Sequence, residues 1–252
     1  MIDIQFSIDG LKTGDSRYDF GVENDISKFY RVMVDRLNDL NIQLPQQMKD
    51  NYPDIEFPSM VDIQILMVDN KELFKDYFND TSVSKTLGFF NLTNSQHILG
   101  KTDIPNDFIV VIESDLNYFN HIHEKYSKSL KVTKEEMLSL YCITLTHEIT
   151  HALEFIENSG GLTPLQVETL FKQKLFEYDV DKCSTGYGYH NYQKDYIGID
   201  EKDADSIYTI MEDRVEAKGR KLYQQLNISD NELSAVFTKP SIKKKSTLNN
   251  LQ

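Results

Sequence analysis

The chain is predicted to adopt an α+β fold, on three observations. Apolar, β-branched runs occupy residues 2–8, 61–68 and 107–113, with the alternation or continuity of strands. Two long stretches, 133–159 and 202–226, instead repeat apolar residues every three or four positions, as amphipathic helices do. The first of these stretches holds His147-Glu148-Ile149-Thr150-His151 at its middle, an HExxH pattern.

Residues 2–8 alternate apolar and polar and read as a half-buried strand. Residues 25–40 read as a helix, with Ile26, Phe29, Tyr30, Met33, Leu37 and Leu40 on one face and Pro45 closing the region. Pro45, Pro53 and Pro58 punctuate a polar linker, so residues 1–58 are expected to form an N-terminal strand and helix extension. From 59 to 238 a second unit follows: a strand at 61–68, a short helix at 71–78, and a hairpin whose arms are 87–90 and 96–99. A strongly β-like strand lies at 107–113. Thr133 and Glu136 form a capping box that opens the motif helix, and Gly160-Gly161 ends it. Leu138, Cys142, Leu145, Ile149, Ala152, Leu153 and Ile156 form its core stripe. Thr163-Pro164-Leu165-Gln166 opens another helix running to about residue 178. Beyond it, 179–200 is a loop rich in aromatics and glycine. A helix then spans 202–226, and Ser229 with Glu232 caps a short final one. The end, 239–252, is a basic tail expected to be disordered.

Composition narrows the function classes. With 252 residues, 40% of them hydrophobic, the chain can bury a sizeable core. Its net charge of −13 argues against a nucleic-acid partner, because phosphate contacts need concentrated Lys and Arg. No apolar run approaches the ~20 residues of a membrane span. The start of the chain shows no conventional signal peptide, which fits a cytoplasmic protein or one exported by a dedicated apparatus. Two cysteines are too few for a disulfide framework, and Cys142 falls on the apolar side of the motif helix as a core residue.

HExxH carries the chemistry. Positions four apart on a helix share a face, about 40° of rotation and about 6 Å of rise apart, so His147 and His151 can close on one metal ion. Glu148 reaches the rim of the same site without occupying the metal, where a general base for a zinc-activated water belongs. Catalytic zinc usually takes three protein ligands. A third histidine six residues beyond the second, after a helix-breaking glycine, is excluded, because Glu154 and Glu157 stand at those positions and Glu157 would point about 240° away from His151. A glutamate on a later helix is preferred. Glu212 and Glu216 lie one turn apart on a helix with an apolar face; Glu212 is taken as the ligand and Glu216 as its supporting partner, bonded to a ligating histidine. The exchanged assignment, or Asp179, Asp181 or His190 as ligand, stays open. So does an ordinary charged surface built from Glu212, Glu216, Arg214, Lys218 and Arg220.

HExxH followed by a downstream Glu-x-x-x-Glu helix resembles the gluzincin class of zinc metallopeptidases. Glu212-Asp213-Arg214-Val215-Glu216-Ala217 is similar to the corresponding helix of the anthrax lethal factor family. The order strand, hairpin, strand, helix before the motif looks like a zincin half-domain. The resemblance implies a zincin-like catalytic domain that holds Zn2+ and hydrolyses peptide bonds of a protein substrate. It also implies that the strand before the motif helix lies along the cleft edge and pairs with that substrate, a role falling to the segment from Phe108 to Ile112. A Tyr or His on a downstream loop steadies the oxyanion in such enzymes, which singles out Tyr189 and His190. Two rival readings remain at this level: a catalytically idle binding module of the same fold, and an effector or toxin whose N-terminal region recruits a partner. His121 and His123 alternate, so they do not converge on one ion, and read as part of a solvated stretch.

Overall fold

The structure is a computed structural model and describes residues 1–10, 24–46, 49–50, 52–68, 87–91, 108–163, 166–167, 169–170, 173 and 201–238. Its elements are β1 (Ile2–Gly10), α1 (Asp25–Asp39), β2 (Gln43–Leu44), β3 (Met60–Val68), β4 (Gly88–Asn91), β5 (Ile109–Glu113), α2 (Leu116–Leu130), α3 (Lys134–Ser159), α4 (Glu201–Gln225) and α5 (Asp230–Phe237). The mixture is α+β, as the patterns predict. The expected helix at 71–78, the second hairpin arm at 96–99, most of the helix after Thr163, the loop 179–200 and the tail 239–252 lie outside the described residues.

The strands form one mixed sheet in the order β2-β1-β3-β5-β4. β1, β3 and β5 run parallel, while β2 and β4 pair antiparallel at its two ends. Burial explains the sequence patterns: β1 alternates, with Ile2, Ile4 and Phe6 inward, whereas every residue of β5 is buried. A strand covered on both faces reads as a continuous apolar run.

One expectation is corrected here. The segment from Phe108 to Ile112 is not an edge strand. β5 is paired on one side with β3 (Gln64 opposite Ile109) and on the other with β4 (Phe90 opposite Val110), so its backbone groups are already taken. Among the described residues, the edge position on that side belongs to β4. The expected extension, residues 1–58, shares its core with the unit that follows. β1 lies between β2 and β3, and Ile26, Phe29, Tyr30, Met33 and Leu37 of α1 join the same hydrophobic cluster as Leu138, Leu145 and Phe155 of α3. Tyr30 Oη donates to the Glu113 carbonyl at 3.1 Å, and Asn24, the N-cap of α1, donates through Nδ2 to the Ser114 carbonyl at 2.6 Å. The linker prolines punctuate a crossover between neighbouring parallel strands.

Helix α2 is not foreseen in the sequence. Leu116, Phe119, Ile122, Tyr126 and Leu130 follow three- and four-residue spacing; Phe119 is buried against Tyr141 and Phe237, Leu116 and Ile122 pack on the core, and Asp115 caps the start. His121 and His123 ride on it, and His123 Nε2 lies 3.0 Å from the Val132 carbonyl. Helix α3 behaves as read: Thr133 and Glu136 form the capping box, and Gly160 ends the helix at φ 66°, a left-handed conformation suited to glycine. Leu138, Cys142, Leu145, Ile149, Ala152 and Ile156 are fully buried. Burial pushes the Cys142 thiol far above its ordinary range, as befits an inert core cysteine.

Candidate metal centre

On α3, His147, His151 and Glu154 fall within about 60° of one another around the axis, opposite the core stripe. That second face packs on α4, which runs antiparallel to α3: Ser139 meets Tyr223, His147 meets Glu216, and Glu154 meets Arg214. The approach is close because α4 presents Gly219. A Cβ there would stand 2.9 Å from His147 Cα and 3.1 Å from its backbone nitrogen.

The predicted ligands converge. His147 Nε2 lies 3.2 Å from Glu212 Oε2, His151 Nε2 lies 3.4 Å from Glu212 Oε1, and the two Nε2 atoms are 3.1 Å apart. One donor atom from each of the three residues fits within a 4.8 Å span, a group that could hold a metal ion. It is the one such group among the described residues. Glu216 takes the supporting place, with Oε2 3.2 Å from His147 Nδ1 and Oε1 accepting from Arg220 Nε at 2.6 Å. With Nδ1 occupied in this way, His147 presents Nε2 to the centre. His151 is buried, and its Nδ1 has no hydrogen-bond partner among the described residues.

Carboxylates surround His147, and the histidines in turn stabilise the charge of Glu212. At His147, burial opposes a positive charge, but the hydrogen bond to Glu212 and the charges of Glu148, Glu212 and Glu216 outweigh it and raise the imidazole pKa. At Glu212, burial opposes ionisation, yet the bonds to His147 and His151 and their charges hold the carboxyl far below the ordinary carboxylate range. Glu148 also lies beside the sheet end: a Cβ at Gly88 of β4 would lie 3.3 Å from Glu148 Cγ. The edge strand therefore passes directly beside the predicted general base.

The chain matches no family model, no curated protein and no solved structure.

Tyr189 and His190 lie outside the described residues. Asp179 and Asp181 do too. Three features of the site escape sequence reading. Gly219 resembles any glycine in a helix until the neighbouring backbone is known. Gly88 lies in a segment read as a hairpin arm. Glu154, noted above for filling a glycine position, is buried and accepts from Arg214 Nε at 3.0 and 3.1 Å, from Arg214 Nη2 at 2.8 Å and from Lys218 Nζ at 2.5 Å. An acid on the ligand face of α3 opposite two bases four residues apart on α4 is the pattern that would find it.

Proposed function

We propose that the chain is a zinc-dependent endopeptidase of zincin-like fold, with His147, His151 and Glu212 as ligands and Glu148 as general base. The observation that carries this reading is the convergence of two imidazole nitrogens and one carboxylate 3.1 to 3.4 Å apart. Ligand atoms about 2.1 Å from a zinc ion at tetrahedral angles stand about 3.4 Å from each other, so the spacing suits that ion. Two histidines and a glutamate are also a donor set of catalytic zinc, which leaves a fourth position for reactants.

Bound there, zinc would supply a Lewis acid that polarises a carbonyl and lowers the pKa of water toward about 7. Glu148 takes a proton from the attacking water and passes it to the leaving amine nitrogen, which becomes a free α-amino group as the C–N bond breaks. Glu216 holds the His147 ring through Nδ1. The substrate is a protein segment in extended form, and β4 is the strand it adds to: the side of β4 away from β5 has no strand partner among the described residues, and Gly88 brings it against Glu148. Tyr189 and His190 are the proposed donors to the developing oxyanion.

Chelation and reconstitution test the reading. Purified protein should bind one zinc per chain, cleave a denatured protein mixture, lose cleavage on chelation and regain it with zinc. Cleavage that persists unchanged after complete zinc removal would overturn it, as would a protein that binds no zinc.

A further inference from the structure

The packed face of α4 has two flanks. Met211, Val215, Gly219 and Leu222 are buried and occupy one strip of its surface, about 80° wide. Glu212 and Glu216 lie on one side of that strip and reach the histidines; Arg214 and Lys218 lie on the other and reach Glu154. Both sets of contacts end on the same face of α3, since Glu154 follows His151 by three residues. The metal centre and the Glu154 triad thus grip α4 from opposite sides of one axis. Arg214 sits two residues beyond Glu212 and about 200° around the helix from it. A rotation of α4 that loosened one contact would swing the other.

From this geometry we propose that Glu154 is a positioning residue for the metal centre, fixing the rotation of α4 through Arg214 and Lys218 so that the Glu212 carboxylate is held at the two histidines. The chemistry suits a rigid part. The Glu154 side chain is only 5% exposed, and the fork of Arg214 engages both of its oxygens, a geometry that sets direction as well as distance. Lys218 adds a second cation on the same carboxylate, so Glu154 is held from two successive turns of α4. Gly219 supplies the other half of the constraint by setting the separation of the helices at His147, so that rotation is the freedom left for the triad to remove.

The inference rests on the proposed zinc site, and its test separates the two. Zinc affinity is measured by competition with a chromogenic chelator, and ligand geometry by the visible absorption of the Co2+-loaded protein, for wild type, Glu154→Gln and Arg214→Lys. Wild type binding one zinc establishes the site. Glu154→Gln is then expected to keep its far-ultraviolet circular dichroism, bind zinc about tenfold or more weakly, and alter the Co2+ spectrum, in the range found when the groups that orient metal ligands are lost. Arg214→Lys, which keeps the charge and loses the fork, decides the matter if Glu154→Gln does not fold; it should also weaken zinc and shift the spectrum. Folded variants whose zinc affinity and Co2+ spectrum match wild type would overturn the positioning role and leave the zinc reading standing. A wild type that binds no zinc would remove both.

Discussion

In the proposed metal centre, Glu212 and Glu216 divide between them what a metal asks of carboxylates. Glu212 faces both Nε2 atoms, and Glu216 meets the far nitrogen of His147 at 3.2 Å. Their substitutions should therefore differ in degree. Glu212→Ala is expected to abolish stoichiometric zinc binding with circular dichroism retained, whereas Glu216→Gln should bind zinc about 10- to 100-fold more weakly, measured by chelator competition. Equal losses would mean that the two exchange roles. The i, i+4 spacing of both pairs made these residues legible in the sequence, because a helix alone places them on a common face. Glu154 was not legible as a partner, since its bases lie 60 and 64 residues away and only the packing of α4 on α3 brings them to it.

At the scale of elements, the α3–α4 contact sets the site, and Gly219 is a point of close approach in it. Gly219→Ala would place a methyl group 2.9 Å from the His147 backbone, so the helices must part. It should cost about 1–3 kcal/mol in chemical denaturation, as overpacking does, and lower zinc affinity as well. The Glu154 triad adds a pH dependence. Burial works against the Glu154 charge, but Arg214 and Lys218 outweigh it and lower its pKa below 4.5. A carboxyl whose pKa is depressed in the folded state contributes stability that is fully present above its unfolded pKa and is lost as pH falls through the folded one. The difference in urea midpoint between wild type and Glu154→Gln should thus hold at neutral pH and shrink below about pH 4.5; a difference that grows on acidification would contradict it. Helices α3 and α4 were readable because caps and periodicity are local signals. Helix α2 was missed because His121, His123 and Glu124 mark the stretch as polar, although Leu116, Phe119 and Ile122 repeat at helical spacing.

For the whole molecule, the sequence misleads where pairing is non-local. Pro45, Pro53 and Pro58 look like a linker, and a strand just before the motif helix looks like a cleft edge; neither pattern says which strands lie side by side. The sheet places β1 between β2 and β3 and β5 between β3 and β4. Removing residues 1–58 should accordingly destroy the fold, seen as lost chemical-shift dispersion, because it strips Ile2, Phe6, Tyr30 and Met33 from the shared core. A folded, active remnant would show instead that the segment is dispensable. The most direct measurement is N-terminal profiling of a proteome treated with wild type or Glu148→Gln, each loaded with one zinc per chain. A zinc endopeptidase with Glu148 as base predicts new protein N-termini from wild type and almost none from the variant. The same N-termini from both, or from neither, would contradict it.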